Sequence, residues 1–275
     1  MRRSGATRAA MGLVGAAVAL VGVGPLSADV IPGALYGVNS QTGGGFLAII
    51  DKNDGSVTNI GPTGIDVDGL AVFQAATIFA ADNTDLRLVT LNPDTGGVSS
   101  VIGAYGGGHR LEGMAFRPSD GQLFGIDVNL DVLVTINSST GEVTSVGSFN
   151  GPDLLAGLSF VGSTLYAVDW GDGGLYEINQ STGQASLIGL GAAGGKGGPL
   201  GLATDPTNGS LYTAEWRGGR NDATLATIST ANGSRTHVGT MIGAPQIEGL
   251  SFAVPEPTTL MLLLVGCTPI VLRRR

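Results

Sequence analysis

Short apolar runs recur along the chain at a nearly fixed period, and turn-forming residues separate them. The run LYAVD at 165–169 has counterparts LYGVN at 35–39, IFAAD at 78–82, LFGID at 123–127 and LYTAE at 211–215. Their starts lie 43, 45, 42 and 46 residues apart. Runs of this length and composition predict β-strands, so the sequence indicates a repeated, strand-rich unit.

Each period holds three further runs of the same kind. In the repeat that begins at 165 they are 174–179, 185–189 and 200–203. The turns before the outermost runs are NDG, DTG, STG, STG and ANG, each ending in a glycine that a hairpin can use at positive φ. Four strands in a repeat of about 40 to 50 residues are typical of a β-propeller blade.

The order of strands within a blade follows from residue size. One run per repeat carries a glycine and a small residue, as at Gly69, Gly113, Gly157, Gly201 and Gly249. Small residues suit the crowded strand at the propeller axis, which makes this run the innermost one. The chain then begins with a second strand at Leu35 and ends with an innermost strand at Gly249. These two strands are expected to pair and close a ring of five blades without an open edge.

This pattern resembles the YVTN-type and NHL-type β-propellers in its alternation and in its closure. The resemblance implies an architecture and no particular activity. Composition agrees with an all-β fold of this kind, since 47 of the 275 residues are glycine and only 13% are charged.

The N-terminus has the pattern of a signal peptide. Arg2, Arg3 and Arg8 precede an apolar run at 9–24, and Ala28 is a small residue at which cleavage is expected. The alternative is an uncleaved membrane anchor. The interpretation gives a signal peptide at 1–28, a propeller at 29–253 and a terminal segment at 254–275.

The C-terminus carries a second pattern. Val254, Pro255, Glu256 and Pro257 are followed by an apolar run at 258–272, and the chain ends with Arg273, Arg274 and Arg275. This order resembles the PEP-CTERM sorting signal of Gram-negative bacteria, although Pro269 interrupts the apolar run. The resemblance implies export, a membrane helix before processing, an exosortase-type sorting enzyme as partner, and a final place in the cell envelope or extracellular matrix.

Charge narrows the choice of ligand. Residues 29–254 hold 8 basic and 21 acidic residues, a net charge of −13, which argues against nucleic acid as a partner. Cations, neutral sugars and basic partners remain as candidate ligands. The one cysteine, Cys267, lies in the terminal segment, so no disulfide is expected within the propeller.

Acidic residues recur where loops are expected to meet at one face. The candidate Ca²⁺ ligands are Asp68, Glu112, Glu248, Asp82 and Asp127. The alternative is that each carboxylate caps backbone N–H groups at a strand end and recurs through duplication of the blade.

Aromatic and basic residues are expected on the same face. Trp170 and Trp216 follow equivalent strands, and Tyr105, His109 and Arg110 precede Glu112. Amphipathic rings beside carboxylates suit a carbohydrate or peptide surface, although a tryptophan there could instead cover a blade edge. The sequence thus favours a non-enzymatic binding or structural module. The PEP-CTERM resemblance implies exopolysaccharide as its ligand. The alternative is a glycan hydrolase or lyase that uses a carboxylate pair such as Asp68 and Glu112.

Overall fold

The computed structural model describes residues 29–39, 45–74, 76–191 and 198–254, and within them it is entirely β-sheet, turn and loop. Twenty strands form five sheets of four antiparallel strands each. The predicted five-bladed propeller is therefore confirmed. The expected signal peptide at 1–28 and the terminal segment from Pro255 onward lie outside the described residues, and Val254 is the last described residue.

The first blade contains both ends of the propeller, in the spatial order β20 (Ile247–Phe252), β1 (Leu35–Asn39), β2 (Phe46–Ile50) and β3 (Val57–Pro62). Strand β20 pairs antiparallel with β1, with Leu35 opposite Phe252 and Gly37 opposite Leu250. This is the closure that the sequence predicted. It leaves β1 paired on both sides and joins the end of the propeller to its beginning.

The other four blades each follow the chain from the axis outward. The second blade consists of β4 (Val67–Phe73), β5 (Thr77–Asp82), β6 (Arg87–Leu91) and β7 (Val98–Ala104). The third consists of β8 (Leu111–Phe116), β9 (Leu123–Asp127), β10 (Val132–Ile136) and β11 (Val143–Ser148). The fourth consists of β12 (Leu155–Val161), β13 (Thr164–Asp169), β14 (Gly174–Ile178) and β15 (Ala185–Leu190). The fifth consists of β16 (Pro199–Thr204), β17 (Leu211–Trp216), β18 (Asp222–Ile228) and β19 (Arg235–Ile242).

The hydrophobic core is divided into wedges between neighbouring blades. Tyr36 and Leu47 of the first blade pack with Leu70 and Val89 of the second, and equivalent clusters fill the other four junctions. Outer strands such as β11 and β15 are half exposed, whereas inner strands such as β12 are buried along almost their whole length. Burial therefore rises toward the axis, which agrees with the placement of the small-residue run as the innermost strand.

Two glycines per blade allow the backbones of neighbouring blades to touch. A Cβ on the inner-strand Gly69 would lie under 3.0 Å from the carbonyl oxygen of Glu112 in the next blade. A Cβ on the outer-strand Gly147 would lie as close to the carbonyl oxygen of Thr182, in the turn of the next blade. Equivalent contacts occur at the other outer-strand glycines, Gly61, Gly103, Gly189 and Gly239.

Replacement of Gly147 by alanine should destabilise the propeller, because the new methyl group meets a backbone oxygen that cannot move independently of its turn. We expect Gly147→Ala to lower the free energy of unfolding by about 1–3 kcal/mol in denaturant titrations. Gly151 is the matched control: no atom lies within 4 Å of a Cβ there. Gly151→Ala should change stability by less than about 0.5 kcal/mol. Equal stability of the two variants would contradict the proposed close contact.

Candidate ligand-binding site

One residue from each blade contributes to a cavity at the axis. Each stands directly before the inner-strand glycine of its blade, so the five inner strands deliver equivalent positions to one face of the ring. The cavity has a volume of about 340 Å³. The five residues are Asp68, Glu112, Ala156, Leu200 and Glu248.

The rest of the wall comes from the end of β17, which supplies Trp216, and from loops that supply Trp170, Arg110 and Gln246. Trp170 follows β13 and is 41% exposed, while Trp216 ends β17 and is partly buried. Their backbone positions are fixed, because the Trp170 N–H donates to the Leu154 carbonyl at 3.1 Å and the Trp216 N–H donates to the Gly198 carbonyl at 2.9 Å. The cavity wall thus contains two indoles, which come from neighbouring blades.

Arg110 joins two of the cavity carboxylates. One guanidinium nitrogen donates to Asp68 Oδ2 at 2.6 Å, and the other lies 3.6 Å from Glu112 Oε1. The Asn83 side-chain amide also donates to Asp68 Oδ2, at 2.7 Å. Asn83 in turn accepts the Leu111 N–H at 3.1 Å and donates to the Leu111 carbonyl at 2.8 Å. This network fixes the start of β8, which carries Glu112.

Glu112 is a cavity carboxyl whose pKa is strongly shifted. Its pKa is raised to about 7, chiefly by burial and also by the nearby charge of Asp68, and Arg110 partly offsets these effects. Desolvation disfavours the charged form of a carboxyl group, which is the direction observed here. Near neutral pH Glu112 can therefore either donate or accept a hydrogen bond.

The structure places two of the expected binding residues elsewhere. Tyr105 is only 1% exposed and packs in the wedge between the second and third blades, where burial raises the pKa of its hydroxyl. His109 Nδ1 pairs with Asp127 Oδ2, and its side chain is largely buried. Neither residue lines the cavity. The loop before β8 enters the core and presents only Arg110 to the axis.

The expected Ca²⁺ ligand set is not assembled. Asp82 and Asp127 are fully buried and act as caps: Asp82 Oδ1 accepts the Thr84 N–H at 3.0 Å, and Asp127 Oδ1 accepts the Asn129 N–H at 2.9 Å. Their other oxygens accept from Arg87 and His109. Among the described residues, no group of three or more His, Cys, Asp or Glu side chains is arranged to hold a metal ion. Both aspartates therefore fit the alternative in which the carboxylate caps backbone N–H groups at a strand end.

Two features of the structure were not anticipated from the sequence. Gln246 lines the cavity, and its carbonyl accepts a hydrogen bond from the Asn39 side chain at 2.9 Å. The position of Gln246, two residues before Glu248, was the one sequence signal that could have predicted its place in the cavity wall. A second cavity, of about 500 Å³, lies at the opposite ends of the inner strands and includes Phe73, Phe116 and Phe160 in its wall. Both features depend on how the strands align at the axis, which the repeat alone does not specify.

The fold and the cavity define the protein as a five-bladed β-propeller with a polar, indole-rimmed axial site. No protein-family model and no curated protein matches the chain, so these comparisons show no family for it. Within the described part of the chain, no helix is long and apolar enough to span a bilayer.

Solved structures share the fold at low identity. A chain of the nidogen/laminin complex matches with a TM-score of 0.54 and 13% identity, covering 81% of this chain and 99% of that one. A protein of unknown function from Bacteroides thetaiotaomicron matches with a TM-score of 0.55 and 18% identity, covering 82% of this chain and 63% of that one. Virginiamycin B lyase from Staphylococcus aureus has a TM-score of 0.47, with 14% identity over 75% of this chain and 70% of that one. The first two likenesses support the β-propeller architecture alone.

The perturbed Glu112 carboxyl should make stability depend on pH. Because its pKa of about 7 in the folded state exceeds the ordinary 4.5, Glu112 contributes stability at low pH that is lost as the pH rises toward 7. We expect the free energy of unfolding to fall more steeply between about pH 4.5 and pH 7 in the wild type than in Glu112→Gln. The exposed Glu177 supplies the control, since Glu177→Gln should keep the wild-type slope. Identical slopes in all three proteins would contradict the assignment.

Proposed function

We propose that the protein is an exported β-propeller that binds carbohydrate in its axial cavity without chemically altering it. The observation that carries the proposal is the pair of indoles, Trp170 and Trp216, at the rim of a cavity lined by carboxylates and a guanidinium. Sugar rings present apolar C–H faces and polar hydroxyl edges, and this wall offers a surface for each.

The polar lining supports recognition of hydroxyl groups. Glu112 and Glu248 are only partly buried, so both carboxyl groups can be reached from the cavity. Arg110 adds N–H donors next to these acceptors. A cavity that offers both donors and acceptors can orient a sugar ring, because each hydroxyl group both donates and accepts.

Localisation and ligand source belong to the same proposal and rest on the sequence. The basic and apolar start of the chain and the ordered pattern from Val254 to Arg275 support export and sorting by an exosortase-type enzyme. The terminal apolar run would hold the chain at the inner membrane before processing. A protein sorted to the cell envelope or extracellular matrix would meet exopolysaccharide at that location. This polymer is therefore the ligand that we propose for the indole-rimmed cavity.

The enzymatic alternative is supported by one observation, the raised pKa of Glu112. A carboxyl that keeps its proton near neutral pH is suited to act as a general acid, and Asp68 is the neighbouring carboxylate. Against this role, Asp68 is 2% exposed, its Oδ2 accepts hydrogen bonds from Arg110 and Asn83, and its Oδ1 is buried, so neither oxygen is open to a substrate. Binding without turnover therefore fits the geometry better.

The binding function predicts loss of affinity when either indole is removed. An array of neutral and amino oligosaccharides should identify binders, and titration calorimetry should show affinities at least about tenfold weaker for Trp170→Ala and Trp216→Ala. Leu187 is the control: it is 52% exposed on β15 and lies outside the cavity, so Leu187→Ala should bind normally. Unchanged affinity in both tryptophan variants would refute the proposed site.

Incubation with the identified oligosaccharide separates binding from catalysis. We expect the oligosaccharide to be recovered intact, as measured by release of reducing ends and of unsaturated products. If Glu112 instead serves as a general acid, product should form, should decline as the pH rises through about 7, and should vanish in Glu112→Gln. Product formation with that pH profile would replace the binding proposal by the hydrolase or lyase alternative.

A further inference from the structure

The second cavity, at the face opposite the axial one, is walled mainly by apolar side chains. Its volume is about 500 Å³, and Phe73, Phe116 and Phe160 reach it from the ends of three successive inner strands. The rings of Phe73 and Phe116 lie with their centroids 4.6 Å apart, and both side chains are partly exposed. Pro118 and Pro206 extend the same wall. The cavity therefore offers an aromatic surface to an occupant with apolar faces.

The three charged side chains of this wall are already paired. Arg117 donates to the two carboxylate oxygens of Asp120, at 2.8 and 2.6 Å. Asp205 is 1% exposed and accepts a hydrogen bond from Lys52. Because these charges satisfy one another, the cavity does not require a charged ligand, and its occupant is held by apolar contact.

The chain itself leaves the propeller through this cavity. Val254, the last described residue, belongs to the cavity wall. The residue before it is fixed by two backbone hydrogen bonds, since the Ala253 N–H donates to the Ala34 carbonyl at 2.9 Å and the Ala253 carbonyl accepts the Gly33 N–H at 2.7 Å. Ala253 is fully buried, whereas Val254 is 45% exposed. The residues that follow therefore start from the wall of the cavity.

The next three residues, Pro255, Glu256 and Pro257, have the chemistry of a ligand for an aromatic groove. Each proline fixes its own φ and restricts the preceding residue to extended conformations, so the segment loses little conformational entropy when it binds. Extended proline-rich segments bind grooves lined by aromatic rings. Three extended residues span about 10 Å, which is close to the width of a cavity of this volume.

We propose that the second cavity holds the chain's own segment 255–257, with the two proline rings against the phenylalanine wall. Glu256, between the prolines, stays at the rim in contact with water. Covalent attachment at Val254 gives the segment an effective concentration of about a millimolar or more, so weak apolar contacts are sufficient to hold it. The inference requires neither carbohydrate binding nor sorting by an exosortase-type enzyme.

The test is disulfide trapping in the whole chain, with residues 255–275 retained and detergent micelles to keep the terminal apolar run in solution. Cys267→Ser first removes the only native thiol. Glu256→Cys is then combined with Ser119→Cys, because Ser119 is an exposed residue of the cavity wall. A disulfide requires the two Cα atoms to approach within about 7 Å, so its rate of formation reports occupancy of the cavity.

Ile31 supplies the matched control, combined with the same Glu256→Cys change. It is 55% exposed, lies two residues before the Gly33 that bonds Ala253, and stands outside the cavity wall. An unbound segment that starts at Val254 would reach it as readily as Ser119. We expect the disulfide to form at least about tenfold faster with Ser119→Cys than with Ile31→Cys, because binding concentrates the segment at one wall.

Two further variants test the chemistry of the contact. Phe73→Ala should bring the two trapping rates closer together, because it removes part of the aromatic wall. The double change Pro255→Ala and Pro257→Ala should do the same, because it removes the rings and the fixed extended conformation. The proline positions lie beyond the last strand of the propeller, so this double variant keeps the test decisive if Phe73→Ala is unstable.

Three outcomes would overturn the inference. Equal trapping rates with Ser119→Cys and Ile31→Cys would show that the segment does not occupy the cavity. Disulfide-linked dimers in place of internally linked monomers would make a second copy of the chain the occupant. A preference for Ser119→Cys that survives both the proline and the Phe73 variants would reflect proximity alone. The sugar-binding experiments with the tryptophan variants are unaffected by any of these results, so the two proposals fail separately.

Discussion

The propeller depends on backbone contact between neighbouring blades at two distances from the axis. Near the axis, each inner-strand glycine stands where a side chain would collide with the next blade, and farther out each outer-strand glycine meets the turn of the next blade. Any side chain at these positions would force neighbouring blades apart. The angle between blades, and hence a ring of five, requires that both contacts stay closed around the full circle.

The inner contacts also build the cavity. Gly69 packs against the carbonyl oxygen of Glu112, Gly113 against that of Ala156, Gly157 against that of Leu200, and Gly201 against that of Glu248. In these four blades the backbone that the glycine touches therefore belongs to the cavity residue of the following blade, whereas the fifth glycine, Gly249, meets Leu70. Scaffold and site share these contacts, so closure of the ring positions the inner-strand residues of the cavity, and loops add Trp170, Arg110 and Gln246.

Sequence reasoning recovered the parts of the structure that duplication repeats. Period, strand order and pairing of β20 with β1 follow from the spacing of equivalent runs, since a strand missing at one end must be supplied by the other. The directions of individual side chains could not be predicted from that spacing. Asp169 turns inward, where its Oδ1 accepts the Gly171 N–H at 2.7 Å, whereas Trp170, one residue later, faces the cavity. A strand end that passes into a capped turn breaks the alternation from which such directions are predicted.

The two sets of carboxylates differ in how their oxygens are used. Asp82 and Asp127 recur at one position of the blade, and both have their oxygens bound to backbone N–H groups and basic side chains. Asp68 and Glu112 stand at the axis. Asp68 Oδ1 has no hydrogen-bond donor among the described residues, and the pKa of Glu112 is raised. The position that follows the recurring strand-end Asp or Glu differs between blades, with Asn83, Val128, Trp170 and Trp216 in four of them. Repeated residues thus maintain the blade, and recognition is expected where the blades differ, because only those positions make one sector of the cavity distinct from another.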